Sequence, residues 1–406
     1  MPLITDSRSA RGPAARLAPL AAITAITAGS ETLAQDPSFT YHYAVAGEFA
    51  DSIDFGGVPI NRDVIVFYEH TLGLFPRIDL RTGEHLNGGI PHLGDFSEHI
   101  GICLNDIIEA IPDPAWDGFV VIDYESWTPW WDDTTQRYRD ATIDDIRRRY
   151  PEWTDADIEA FAREIYELSA RRFLEGTIKL GQALRPNARW GFWAYPKARH
   201  ADLDNSDTQW LWDASDVFFP EIYMQDYLVP DNVEPMLGEA NYSDYINTAF
   251  NGNLAYARQL AGDTKPTLAF AWPRYGHRNE NQWYRLQFLE PEHLQLMLAG
   301  PYFWDADGVV IWDHLPQQGL ADVFQEYFDT AIGPEIQRMT EFVIEQDRLE
   351  EENRIREDVN NDGLVNTADL SYVLWTIGTD DPDADVNDDG IVDFLDATMV
   401  ILAFTN

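Results

Sequence analysis

The sequence predicts an α/β fold, a distorted (β/α) barrel of the TIM type, followed by a small all-α calcium-binding module. Three observations carry this expectation. From about residue 36 to 335, short apolar runs rich in β-branched and aromatic residues alternate with longer stretches of helical period. The number of such strand–helix repeats favours a closed barrel over a doubly wound sheet. From Asp358 onward the composition changes abruptly, with eleven Asp and neither Lys, Arg nor Glu.

In chain order, Arg8, Arg11 and Arg16 precede an apolar, Ala-rich run over 17–28. Residues 1–35 therefore read as a secretory signal, with a disordered or helical N-terminal extension as the alternative, and the run is too short to span a bilayer. The expected localisation is extracellular or cell-surface associated. Strands are expected at 64–68, 119–122, 190–195, 217–223, 268–272 and 309–312, and helices at 98–110, 155–184, 242–260, 290–298 and 321–330. A polar stretch of helical spacing over 336–357 reads as a connector, and 358–406 as a separate calcium-binding domain. The single Cys103 excludes an intramolecular disulfide framework and a zinc site built on several thiolates. Of the formal charge of −42, the segment from Asp358 holds −11, leaving −31 for residues 1–357. Such a balance argues against binding to nucleic-acid phosphates or to an anionic membrane.

The C-terminal segment carries the most specific spacing in the chain. Asp358, Asn360, Asp362, Asn366 and Asp369 place oxygen side chains at positions 1, 3, 5, 9 and 12 of a loop, with Gly363 at 6 and the Leu364 carbonyl at 7. After 27 residues Asp385, Asn387, Asp389, Ile391, Asp393 and Asp396 repeat the pattern around Gly390. Each loop leads into one apolar helix, at 370–377 and 397–404. Two loops in register make a chance acidic turn a poor account. Position 12 is Asp in both, where an EF-hand usually has Glu. The pair resembles a type I dockerin module, which implies two structural Ca²⁺ and a cohesin-type protein partner.

The candidate chemistry sits at Asp123 and Glu125, where the apolar run 119–122 ends as a buried barrel strand would at its C-terminal mouth. Residues two apart on an extended chain face one side, so both carboxylates are expected in one cleft, with Cα atoms about 6.6 Å apart. Like charges at that spacing raise one pKa, giving an acid beside a base, as glycosidic cleavage requires. Tyr124, Trp127, Trp130 and Trp131 offer aromatic faces against which sugar rings stack, although packing is the ordinary role of tryptophan.

Phe67-Tyr-Glu-His70, Asn87-Gly-Gly-Ile-Pro91, Val121-Ile-Asp123-Tyr-Glu125-Ser-Trp127, Trp190-Gly-Phe192, Phe219-Pro-Glu-Ile-Tyr223 and Gly308-Val-Val-Ile-Trp312 stand in order along the chain. Together they resemble the hyaluronidases, family 56 of the glycoside hydrolases, over roughly residues 40–335. The resemblance implies an endo-acting, retaining hydrolase of hyaluronan or chondroitin in which the substrate's 2-acetamido oxygen is the nucleophile. It also implies Glu125 as acid and then base, Asp123 orienting and charge-stabilising the acetamido group, Tyr223 hydrogen-bonding near it, and Trp312 walling the −1 subsite. No organic cofactor is implied, and the histidines His42, His70, His92 and His277 show no metal-ligand spacing.

Three departures qualify the resemblance. Trp193 replaces a usual tyrosine, trading a hydroxyl for an indole N–H; Thr128 replaces an arginine and His92 a glutamine. The −31 charge should also repel a polyanion, which points to a saline habitat, a local basic cleft or a less charged substrate. Arg185, Lys179, Lys197, Arg199, Arg274 and Arg278 are the cations near the motifs. A hydrolase of another acetamido glycan, such as a chitin-like polymer, and a non-hydrolytic glycan-binding barrel are the alternatives that stay open.

Overall fold

In the computed structural model, residues 37–203, 205–224, 243–276, 286–353, 355–387 and 389–404 are described. The expected secretory signal at 1–35, His277 and Arg278 lie outside them. The chain divides into two compact units, Phe39–Gln337 and the part from Arg338 onward together with Ser38.

The larger unit is built on short parallel strands. β1 (Thr40–Tyr43), β8 (Gly308–Ile311) and β7 (Leu268–Ala271) form one ladder in that spatial order, and β2 (Val64–Tyr68), β5 (Phe119–Asp123) and β6 (Arg189–Phe192) form another. Two seams join them. The Tyr43 N–H donates to the Asn61 carbonyl at 2.8 Å, between β1 and the approach to β2. Residues 217–222 lie between β6 and β7: the Ala194 N–H donates to Phe219 O, and the Leu268 and Phe270 N–H groups donate to Phe218 O and Pro220 O. Pro220 has no N–H, so this expected strand appears as bridges at Phe218, Phe219 and Glu221 rather than as a regular ladder. The result is a closed, all-parallel barrel whose pairs are β1 with β8, β8 with β7, β2 with β5 and β5 with β6.

The period of two along each strand sorts its side chains. Val121, Val217, Phe219, Phe270 and Val310 fill the barrel interior, with Val66 and Phe119 packed beside them. Their neighbours Phe67, Val120, Ile122, Trp190, Phe192 and Phe218 face outward into a second core under the helices. Against that outer core pack α1 (Phe96–Ala110), which Asp95 caps by accepting from the Ser97 and Glu98 N–H groups, and α3 (Asp155–Leu184), capped by Thr154. The remaining helices of this unit are α2 (Gln136–Arg149), α4 (Asn205–Ala214), a π-helical turn (Ile246–Leu254) running into α5 (Ala255–Ala261), α6 (Pro291–Phe303) and α7 (Gln318–Tyr327).

Three elements, β1, α2 and α4, have no counterpart in the sequence expectations. β1 reads Thr-Tyr-His-Tyr, α2 is strongly polar and α4 mixes polar residues with two tryptophans, so none shows the apolar period by which the others are read. A small antiparallel hairpin, β3 (Arg77–Ile78) and β4 (His85–Leu86), also sits in the β2–α1 loop. The expected connector is helix α8 (Gly333–Asn353), which begins before residue 336. Beyond it, α9 (Thr367–Thr376) and α10 (Phe394–Leu402) each follow one acidic loop, around a small core of Val359, Val365, Val373, Val386, Val392 and Val400.

Candidate active site

Strand register places the candidate residues. Tyr68 and Asp123 are paired at the C-terminal ends of β2 and β5. Trp193, Trp272 and Trp312 each follow the last residue of β6, β7 and β8, and Glu221 and Tyr223 end the segment at the seam. By the inward-outward alternation all of them continue the inward-facing rows, so one rim of the barrel carries two carboxyls, two phenols and three indoles. This is the face on which parallel barrels expose their βα loops.

The aromatic groups form a connected wall. Tyr223 stacks on Trp312 with ring centroids 6.1 Å apart and 22° between planes, and lies 6.0 Å from Trp193 and 5.6 Å from Trp272. Trp272 meets Trp312 edge-on at 5.4 Å. The Trp312 N–H donates to the Tyr68 hydroxyl at 2.9 Å, and the Trp193 side chain hydrogen-bonds the Tyr223 hydroxyl. The indole N–H brought by the Trp193 departure is thus directed at Tyr223. Burial holds both phenols protonated, pushing Tyr68 up to about 12 and Tyr223 well above the usual tyrosine range.

Asp123 is the electrostatic centre of this wall. Its Oδ1 is buried and finds no hydrogen-bond partner. Burial raises its pKa to about 8; the charges of Glu125, Glu69 and Glu221 add to the rise and Lys197 opposes it. The pairing argument expects one proton-holding carboxyl, and the structure gives that property to Asp123 because it lies inside the rim. Glu125 is solvent-exposed, two residues past it on the β5–α2 loop.

Three further charged groups at the site were not assigned a role from sequence. Glu69, the residue after β2, accepts from Arg77 at 2.8 Å and from the Ser126 hydroxyl at 2.6 Å, tying the β2 loop to the residue after Glu125. Lys197 stands 3.9 Å from Glu221 and over the Trp193 ring at 5.6 Å; burial lowers its pKa. The signal that could have found Glu69 is its position directly after an apolar strand, the same position that singled out Asp123.

Two expected substrate-binding residues are corrected. Tyr124 and Trp127 are only 5% and 2% exposed, and both donate to the Pro76 carbonyl, at 2.9 and 2.7 Å. Tyr124 follows inward-facing Asp123, so alternation turns it outward into the helix layer, and a ring enclosed there cannot meet a sugar. Trp130 and Trp131 are buried as well. Among the cations near the motifs, buried Arg185 donates to the Ile111 and Leu184 carbonyls, while Lys179, Arg199 and Arg274 pair with Glu175, Asp133 and Asp313. At the other departures, His92 bonds Asp145 at 2.9 Å and the Thr128 hydroxyl is buried without a partner.

The two acidic loops repeat each other bond for bond. Asp358 accepts from the Asp362 and Gly363 N–H groups, and Asp369 from those of Asn360 and Asn366. Asp385 and Asp396 do the same for Asp389, Gly390, Asn387 and Asp393. Gly363 and Gly390 adopt φ of 84° and 89°, which explains glycine at the sixth position. Among the described residues no group of three or more His, Cys, Asp and Glu side chains gathers as a metal site.

Comparison with known proteins places the barrel. The family model described as hyaluronidase matches residues 57–343. The chain is 29% identical over 300 residues to hyaluronidase-1 of Bos taurus and 28% identical over 307 to a chondroitin hydrolase of Caenorhabditis elegans. These matches cover 68% and 70% of this chain, but 63% of each relative's own length. The crystal structure of bee venom hyaluronidase in complex with a hyaluronic acid tetramer superposes with a TM-score of 0.61 at 24% identity, over 74% of this chain and 99% of that one. That likeness concerns the fold.

Proposed function

The chain belongs to the hyaluronidase family, and from that premise we propose that its barrel hydrolyses the N-acetylhexosaminidic bonds of hyaluronan or chondroitin, with retention and with help from the substrate's own amide. The observation that carries this reading is a carboxyl at the strand ends whose Oδ1 is buried and unpartnered, on the same rim as the connected wall of Tyr223, Trp312 and Trp193. Exposed Glu125, in its protonated form, gives that proton to the glycosidic oxygen as the bond breaks, while the acetamido oxygen attacks the anomeric carbon. Positive charge then develops on the amide nitrogen. Asp123, whose pKa burial raises, faces that charge, which favours loss of its proton to solvent and strengthens the carboxylate's hold on the amide N–H. Water attacks the anomeric carbon from the face that the leaving group departed, opposite the acetamido oxygen, opens the cyclic intermediate and returns a proton to Glu125. Tyr223, held protonated by its surroundings, donates a hydrogen bond near the acetamido group, and Trp312 forms the apolar wall beneath the ring.

Glu125→Gln should lower reducing-end release from hyaluronan or chondroitin by roughly 10²–10⁴-fold with binding retained. A variant that cleaves as fast as the parent would sink the assignment of the acid. Carboxyls flanking a stacking wall support cleavage over a purely glycan-binding barrel. A digestion panel that adds chitin oligomers separates the acidic polymers from another acetamido glycan.

The reading extends to the C-terminal segment as an exported, dockerin-like tether. Its side-chain donors are all hard oxygens, which suits Ca²⁺. Asp358, Asn360, Asp362, the Leu364 carbonyl, Asn366 and Asp369 would hold one ion; Asp385, Asn387, Asp389, the Ile391 carbonyl, Asp393 and Asp396 would hold the other. The ions would supply structural charge neutralisation for the acidic loops. A cohesin-type protein is the proposed partner.

A further inference from the structure

The β3–β4 hairpin and helix α2 enclose an open cavity of about 780 Å³ that the catalytic reading leaves unused. Its charge is unusual for this molecule. Arg81, Arg137, Arg147 and Arg148 line it with His85, against a single carboxylate, Asp144. In a chain of net charge −42 with 28 Lys and Arg, helix α2 alone carries five arginines in 13 residues.

The acids beside this cluster are already engaged. Asp145 serves His92, Arg148 and Arg149 at 2.9, 3.2 and 2.8 Å. Arg147 is shared between Asp144 at 3.4 Å and Asp155 at 3.2 Å. Asp79, next to the hairpin, accepts from the Arg81 and Thr82 N–H groups and the Thr82 hydroxyl. Arg81 and Arg137 are exposed, and among the described residues neither forms an ion pair with a carboxylate. Ile78, Ala141 and the largely exposed Leu80 supply an apolar side to the same cavity.

Guanidinium forks beside an aliphatic surface suit a sugar ring carrying a carboxylate, the chemistry that the proposed substrate of this barrel supplies. The cavity also lies on the face of the barrel that bears the rim. Its hairpin belongs to the β2–α1 loop and its helix to the β5–α3 loop, which leave the ends of the strands bearing Tyr68 and Asp123. The Tyr138 hydroxyl of α2 accepts from the Ile78 N–H at 2.9 Å, and adjacent Arg77 bonds Glu69, which bonds Ser126 beside Glu125.

We propose that the cavity between the β3–β4 hairpin and α2 is a distal binding site for the uronate carboxylates of an acidic polysaccharide, engaged by Arg81 and Arg137. It rests on the reading of the barrel as a hydrolase of such polymers. It also locates the local basic surface that a catalytic part of charge near −31 needs to hold a polyanion.

The test is the double variant Arg81→Ala/Arg137→Ala in the full chain. KM for long hyaluronan should rise roughly threefold to tenfold with kcat held, because two exposed charge-assisted contacts are lost and the catalytic rim is untouched. Arg81→Lys/Arg137→Lys should recover part of the loss. In a Glu125→Gln background, affinity for long hyaluronan should fall by the same factor, while affinity for carboxyl-reduced hyaluronan should not change. Equal KM and equal affinity in variant and parent would overturn the site. An equal loss on the carboxyl-reduced polymer would overturn carboxylate recognition. If the parent releases no reducing ends from hyaluronan or chondroitin, the reading of function falls first, an outcome distinct from an active parent with an unaltered variant.

Discussion

Asp123 is held where a carboxylate is least comfortable, and that discomfort has a measurable sign. Burial raises its folded pKa to about 8 from a reference of 3.8. Between these values the folded state keeps a proton that the unfolded chain has lost, so this group's contribution to stability falls as pH rises through that window. It is full below about pH 4 and is lost by pH 8 and above. Asp123→Asn cannot ionise, so its melting temperature should exceed the parent's by a margin that grows between pH 4 and pH 8. A margin independent of pH in thermal melts would contradict the burial account. The same variant should lose most activity, leaving a site stabilised at the expense of its chemistry. The strand-end position of Asp123 and Glu125 is legible from sequence because an apolar run stops at them. Tyr124 and Trp127 were misread because their composition suits a sugar platform equally well, and only the facing of each side chain tells the two roles apart.

At the scale of elements, the rim depends on strands that approach one another closely at their inner faces. Gly191 in β6 is one such point: a Cβ there would lie 2.3 Å from the Val217 carbonyl and 3.0 Å from the Phe219 ring. Both atoms belong to the seam that carries Glu221 and Tyr223, and a backbone carbonyl cannot swing aside as a long side chain can. Gly191→Ala should therefore destabilise the barrel by about 1–3 kcal/mol and displace Tyr223. Urea unfolding with activity assays would show it; a variant with parental midpoint and activity would refute the tight seam. The long helix α3 could be read from its period over the whole expected span. The regular strand expected at 217–223 became a set of bridges because Pro220 cannot donate to a ladder. Polar α2 escaped notice for want of an apolar stripe, and it carries half of the basic cavity.

For the whole chain the governing quantity is charge. A catalytic part near −31 and a polyanionic substrate repel at long range, whereas any attraction at the Arg81–Arg137 cavity acts at contact. The Debye length shrinks from about 30 Å at 0.01 M salt to about 8 Å at 0.15 M. Added salt therefore removes the repulsion before it weakens the contact. Cleavage of hyaluronan at subsaturating substrate should rise over that range, and a monotonic fall in kcat/KM would contradict this balance of terms. The −11 of the C-terminal segment makes a parallel prediction. Chelating Ca²⁺ in the full chain should reduce helical circular dichroism and expose the Gly363 and Gly390 amides to hydrogen exchange, both restored by adding the ion back. Unchanged exchange at those amides would remove the calcium reading.

The sequence by itself determined the alternation of strands and helices, the two acidic loops in register, and the position of Asp123 and Glu125 at a strand end. Each of these is written in local order, as a period, a spacing or an abrupt change of polarity. Tertiary structure decided which faces meet. It made Asp123 the buried carboxyl, sent Tyr124 and Trp127 into the outer core, joined Trp193 to Tyr223, and brought arginines some 60 residues apart in sequence around one cavity. Burial and electrostatic potential are sums over neighbours distant in the chain, so no window of residues contains them.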